Sequence, residues 1–187
     1  MEITKTLTAK SKEEWRSWLQ DNYRSEPEIW LIFYKQGSGL ARILYNDAVE
    51  EALCFGWIDS QTKRIDESRY AQRFSPRKKG SSYSQANRER LKYLIAQGKV
   101  MPEVLNDLAS LDLDNFKIAG DILGAIRENE QAWKNFQSFS DSYKRIRISY
   151  IEGARNRPKE FQKRLAYFIK KTAANKQIGF GGIDKYY

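Results

Sequence analysis

A chain of 187 residues, 41% hydrophobic and 13% aromatic, has enough apolar surface to fold without metal or disulfide, which excludes a disordered or disulfide-framed protein. With no histidine and one cysteine, Cys54, it is also excluded from Ser/His and Cys/His nucleophilic pairs, imidazole general bases and thiolate or imidazole zinc sites. The formal charge of +9, from 33 basic and 24 acidic side chains, points to anionic partners or to solvated basic faces.

The opening residues, Met1-Glu2-Ile3-Thr4-Lys5, carry no apolar h-region, so no export signal is expected and the cytoplasm is the expected compartment. Ser11-Lys12-Glu13-Glu14 has capping-box form ahead of Trp15, Trp18 and Leu19, and predicts a helix over about 11–22. Glu28 to Tyr34 is aromatic and β-branched between Pro27 and Gly37-Ser38-Gly39, as a buried strand should be. Asn46 or Asp47 is placed to cap the next helix, with Val49, Ala52 and Leu53 inward and Gly56 near its end. Trp57 to Phe74 reads as a hairpin or two strands. Ser75 to Ser82 has loop chemistry, and Ser84 caps a helix whose Leu91, Leu94 and Ile95 face inward until Gly98.

Beyond Pro102 the pattern is helical: 103–111, 118–126, 131–139, a helix capped by Ser142, and a last one beginning at Pro158. In that last helix Phe161, Leu165, Phe168 and Ile169 form the apolar stripe, and Lys159, Lys163, Arg164, Lys170 and Lys171 fall largely on its other side. No stretch approaches the roughly 20 apolar residues of a membrane-crossing helix. Strands early and helices late predict an α+β fold: a small, mostly antiparallel sheet with helices over 1–100, a helical segment over 101–175 packing on it, and a flexible tail over 176–187.

Charge is segregated along the chain. Residues 1–59 carry 7 basic and 10 acidic groups and residues 101–141 carry 3 and 8, whereas 60–100 carry 11 and 3 and 142–187 carry 12 and 3. The positive excess thus lies in two separate segments, which can create local potentials attractive to anions.

The run Glu51-Ala52-Leu53-Cys54-Phe55-Gly56-Trp57-Ile58-Asp59-Ser60, followed by Arg73-Phe74-Ser75-Pro76-Arg77 and by Ser81, Ser84 and Asn87, resembles the YdeI/OmpD-associated family. The resemblance runs from near Trp15 through Gly98 and more loosely through the C-terminal helices. Tyr83 stands where the family usually shows tryptophan, and Glu160-Phe161-Gln162 where it tends to carry a Thr-Arg pair. The family name implies protection against bacteriocins or cationic antimicrobial peptides and association with an outer-membrane porin. It implies no enzymatic activity.

The stretch Arg73 to Asn87 combines arginine forks, a proline-shaped loop, hydroxyls and a helix N-terminus, the parts of an anion cradle. The candidate ligand-binding residues are Trp57, Asp59, Ser60, Arg73, Ser75, Arg77, Tyr83, Ser84 and Asn87, with Trp57, Phe74 and Tyr83 as stacking surfaces for a ligand that contains a ring. Asp59 and Ser60 follow a helix-ending glycine; a structural ion pair of Asp59 with Arg73 or Arg77 is the favoured reading, with a cleft shared by the two side chains as the alternative. Cys54 is expected to be a buried hydrophobe. Asp112 and Asp114 form a weak oxygen-ligand pair better read as a cap. No catalytic residue, metal or cofactor is expected. The leading expectation is a non-catalytic protein that binds a small phosphorylated or carboxylated ligand. The alternatives are sequence-independent nucleic-acid binding by the basic segments and an enzyme using Asp59 with the arginine cluster.

Overall fold

The structure is a computed structural model and describes residues 2–35, 42–108, 113, 115–179 and 183–186. Gly37-Ser38-Gly39 and the Asp112 and Asp114 pair lie outside the described residues. The chain divides into two compact units, the first of Met1–Ser82 with Leu91–Leu111 and the second of Tyr83–Arg90 with Asp112–Tyr187. The fold is α+β, as the order of strands and helices predicts.

The first unit is built on a four-stranded sheet of β1 (Thr6–Leu7), β2 (Ile29–Tyr34), β3 (Trp57–Arg64) and β4 (Arg69–Pro76), in the order β1-β2-β4-β3. β1 runs parallel to β2, and the other two pairings are antiparallel. The turn between β3 and β4 is organised by Asp66, whose carboxylate accepts from the Ser68 and Arg69 N–H groups and from the Arg69 Nε at 2.7 Å. Helices α1 (Lys12–Asn22) and α2 (Tyr45–Cys54) supply the apolar stripes that cover one sheet face. Trp15 stacks on Trp18 with ring centroids 5.3 Å apart and meets Phe74 of β4 at 5.4 Å, while Trp18 meets Trp57 edge-on. The Trp15 indole N–H donates to the Ala48 carbonyl at 3.0 Å, so this fully buried ring leaves no unmet donor.

Ser11 caps α1 as its capping-box position requires, with its hydroxyl accepting from the Glu14 N–H. α2 differs from expectation: it begins at Tyr45 after Leu44, without a side-chain cap, and Asp47 lies inside its first turn. There its charge favours the helix N-terminus through the dipole rather than through a cap hydrogen bond. α2 ends at Cys54 and the chain turns at Gly56 with φ of +71°, a left-handed conformation that glycine adopts without penalty. α4 (Pro102–Leu108) closes this unit.

Helix α3 (Gln85–Ala96) contributes its first residues to the second unit and its last to the first. Ser84 caps it, accepting from the Asn87 N–H at 3.3 Å. The second unit then comprises α5 (Gly120–Arg127), α6 (Glu130–Ser138), α7 (Asp141–Glu152) and α8 (Pro158–Ala173). Its core joins aliphatic residues, among them Ile122, Ile126, Ile148 and Ile151, to an aromatic cluster: Phe136 and Tyr143 both contact Phe168, and Phe139 meets Tyr143 edge-on at 5.1 Å. Buried Asn135 donates to the carbonyls of Thr172 and Ala173, satisfying acceptors that the end of α8 cannot use internally. Ser140, not Ser142, caps α7, because its hydroxyl is three residues before the Tyr143 N–H it receives. Pro158 opens α8 as predicted. Residues 176–187, read from the sequence as a flexible tail, include a packed 3-10 turn at Asp184–Tyr186: Ile183 and Tyr186 are buried with Ile146 and Ala86, because the tail's own apolar side chains have a surface to cover. Among the described residues, no helix is long and apolar enough to cross a membrane.

Candidate functional site

Residues paired across antiparallel strands share a sheet face, and successive residues alternate between faces. Asp59 pairs with Phe74 and Trp57 with Pro76, so both lie on the face covered by α1 and α2. Arg73 pairs with Trp30 and therefore lies on the opposite face. The alternative of a cleft shared by Asp59 and Ser60 is not formed, because strand geometry sends consecutive side chains apart.

Arg73 is held by three groups. Its Nε donates to Glu28 at 2.7 Å, with Nη2 2.6 Å from the same oxygen, and Nη1 donates to the Ser60 hydroxyl at 3.1 Å and the Ser75 hydroxyl at 3.4 Å. A bulge brings Ser60 here: Asp59 pairs with Phe74 and Thr62 with Gln72, leaving Ser60 and Gln61 opposite Arg73 alone. Glu28 also accepts from the Thr4 hydroxyl at 2.6 Å, and this bond together with Arg73 holds its carboxyl below the usual range. Glu28 is thus the counter-charge that the sequence reading missed. It stands at the foot of β2, one residue before the strand, and only the β2–β4 register reveals whom it meets.

Among the described residues, the favoured pairing of Asp59 with Arg73 or Arg77 is not formed. The Asp59 carboxylate accepts from the Tyr45 hydroxyl at 2.6 Å and from the Gln72 amide at 3.3 Å, and the Gln72 carbonyl oxygen accepts in turn from the Thr62 hydroxyl. This polar chain runs along the helix-covered face and ties α2 to the hairpin. Trp57 is buried at 1% exposure and donates its indole N–H to the Tyr23 carbonyl at 3.1 Å, so it has no face left for a ligand ring. Phe74 is likewise fully buried.

Arg77 leaves the end of β4, where its N–H donates to the Gly56 carbonyl at 2.9 Å. Its Nη2 donates to the Ser82 carbonyl at 2.8 Å and to the Ser81 hydroxyl at 3.2 Å. The guanidinium thereby folds the segment Lys78–Ser82 around itself, with Lys78, Lys79 and Ser81 exposed on the outside. Cys54 is buried as expected, and burial, with the nearby Glu51 carboxylate adding to it, pushes its thiol up to about 11, the opposite of a reactive thiolate.

Tyr83, Ser84 and Asn87 belong to the second unit. Asn87 is turned inward and accepts from Arg90 at 3.0 Å, and the Tyr83 carbonyl accepts from the Arg88 Nε at 3.4 Å. Beside them is a bidentate ion pair that the sequence reading did not anticipate. Arg145 of α7 donates through Nε and Nη2 to the two oxygens of Glu89, at 2.6 and 3.0 Å, and Glu89 also accepts from Gln85.

The architecture is that of an α+β protein whose hairpin carries an arginine held between a carboxylate and two hydroxyls. The chain belongs to the family described as Domain of unknown function (DUF8412), whose model matches residues 7–107. Residues 115–175 match a second family model, described as Bacteriocin-protection, YdeI or OmpD-Associated. The YdeI/OmpD-associated family is therefore present, in the helical segment where the sequence showed the looser resemblance; the run 51–87 lies within the first match instead. No curated protein and no solved structure matches the chain.

Proposed function

We propose that the protein is a non-catalytic binder of a small phosphorylated or carboxylated ligand, received by Arg73, Ser60 and Ser75 together with the Arg77–Ser82 loop. The observation that carries this reading is the Arg73 cluster: a guanidinium fork that donates to two flanking serine hydroxyls and is balanced by one carboxylate. An incoming anion takes the place of Glu28 as the partner of Arg73, with the serine hydroxyls donating to it. Lys78 and Lys79, exposed within that loop, raise the local anion concentration. Asp59 and Trp57 stand outside this arrangement, and Tyr83, Ser84 and Asn87 are not required by it. An enzyme built on Asp59 is disfavoured, since its carboxylate faces away from Arg73 and is bonded to Tyr45 and Gln72. Protection against bacteriocins, taken from the description of the family matched at 115–175, is the physiological setting we propose with it.

Thermal-shift and calorimetric titrations with inorganic phosphate, nucleoside phosphates and dicarboxylates test the reading. Ligand-dependent stabilisation is expected to follow mass action. Arg73→Ala and Arg77→Ala should weaken it at least tenfold, and Glu28→Gln, which removes the competing anion, should strengthen it. Equal binding by wild type and both arginine variants would dismiss this site.

A further inference from the structure

The longest helix of the second unit carries a face with different chemistry. α8 buries Phe161, Leu165, Phe168 and Thr172. At 3.6 residues per turn, Lys159, Lys163, Tyr167 and Lys170 fall within an arc of about 80° opposite that buried stripe. All four are exposed, with Tyr167 at 50%, and Lys171 at the edge of the arc lies 5.4 Å from the Tyr167 ring centre. Arg164 flanks them: its guanidinium sits 3.8 Å over the ring of Tyr150, itself 54% exposed, and donates to the Tyr150 carbonyl at 2.7 Å.

Acidic charge is nearly absent from this face. Glu160 is the one carboxylate in α8, and it accepts from the Arg164 Nε at 2.8 Å. Among the described residues, Lys159, Lys163 and Lys170 come within ion-pair distance of no carboxylate. Four residues of helix advance about 6 Å, so Lys159, Lys163 and Tyr167 make an evenly stepped row that Lys170 continues. A row of cations broken by a tyrosine ring, with a second cation-backed ring beside it, suits a polymer that alternates phosphates with flat bases. An anionic membrane fits less well, because the exposed arc has no Leu, Phe or Trp to insert.

We propose that the outer face of α8, with Tyr150 and Arg164 at its flank, binds single-stranded nucleic acid without sequence preference: Lys159, Lys163 and Lys170 contact phosphates, and Tyr167 and Tyr150 stack on bases. This surface is made of other residues than the hairpin arginine cluster, and its occupant is a polymer rather than a small anion.

Fluorescence anisotropy with a labelled 20-nucleotide oligothymidylate or oligouridylate tests it at low salt. Binding is expected, with log affinity falling against log salt at a slope of about −2 for three neutralised phosphates. The double variant Lys163→Glu/Lys170→Glu should lose more than tenfold in affinity, and Tyr167→Ala several-fold at an unchanged salt slope. Arg77→Ala should bind as wild type, which separates this surface from the hairpin site. Since Lys163, Tyr167 and Lys170 are exposed, unchanged circular-dichroism melting curves should accompany these losses. No anisotropy change at low salt, an unaffected double variant, or co-sedimentation with phosphatidylserine vesicles in place of oligonucleotide binding would each overturn the proposal.

Discussion

At the scale of single residues, the charges with the largest energetic weight are buried. Glu51 is 1% exposed, and Arg16 holds it at 2.6 Å while donating through its other nitrogen to the Lys99 carbonyl at 3.0 Å and lying 5.1 Å from the Phe55 ring centre. Removing one partner of a buried pair leaves the other desolvated without compensation. Arg16→Ala is therefore expected to cost about 2 kcal/mol in urea unfolding, below the range for fully buried pairs, because Lys12 remains 3.8 Å from the same carboxylate. A loss within experimental error would show that Lys12 or solvent suffices. Cys54 yields a prediction of opposite sign to that of a buried carboxylate held by a cation. Its thiol is pushed up to about 11 in the folded protein from an ordinary value near 9, so between these values the unfolded chain releases a proton that the folded one retains. Stability is full below pH 9 and falls as pH rises to 11, by roughly 2–3 kcal/mol across the window. Burial raises Tyr70 and Tyr143 as well, so the diagnostic is a difference: Cys54→Ala should show a shallower alkaline slope than wild type. Parallel slopes would mean that the thiol is not shielded.

At the scale of elements, the connection from α2 to β3 depends on one glycine. Gly56 has φ of +71°, and a Cβ added there would meet Val104 Cγ2 at 3.2 Å. Gly56→Ala should cost about 1–2 kcal/mol for the left-handed backbone alone, read as a lower urea midpoint at constant m-value; an unchanged midpoint would show that the turn relaxes freely. At the hairpin's far end, Arg69 and the Ser68 and Arg69 N–H groups hold the Asp66 carboxyl well below the usual range. Asp66→Ala should speed amide exchange at Ile65 and Arg69 more than at Phe74. These elements also show why sequence legibility was uneven. The α1 stripe, the β2 run, the Ser84 cap and Pro158 were readable because each depends on neighbours within a few positions. β1 was not: two residues, Thr6 and Leu7, carry no period, and their strand character comes from pairing with Trp30 and Leu31. The candidate site failed in the same way. Arg73 was identifiable as important, but its partners Glu28 and Ser60 depend on the β2–β4 register and on a bulge, neither of which local pattern encodes. Asp59 looked like a neighbour of Arg73 because the two are close in a hairpin, and the pleat put them on opposite faces.

At the scale of the molecule, the family matches and the compact units do not share a boundary. The first match, 7–107, includes Tyr83–Arg90, which belongs structurally with the second unit. This segment supplies that unit with Glu89, 5% exposed and paired twice to Arg145, and with Ala86 against Ile146, Ile183 and Tyr186. A fragment of residues 113–187 holds the whole of the second match yet lacks both contributions. It would expose Ile146, Ile183 and Tyr186 and leave Arg145 without its carboxylate. Such a fragment is expected to melt at lower temperature and less cooperatively than the intact chain, and to bind a hydrophobic dye that the intact chain does not. Glu89→Ala in the full chain should reproduce part of this effect, at about 3 kcal/mol for breaking a mostly buried pair, whereas Glu89→Gln, which keeps hydrogen-bonding capacity toward Arg145 and Gln85, should cost less. A fragment that unfolds cooperatively at the temperature of the whole protein would instead make 113–187 an autonomous domain, and the start of α3 an ornament on it. The physical expectation is the reverse, because a bidentate pair this well enclosed costs more when halved than when absent.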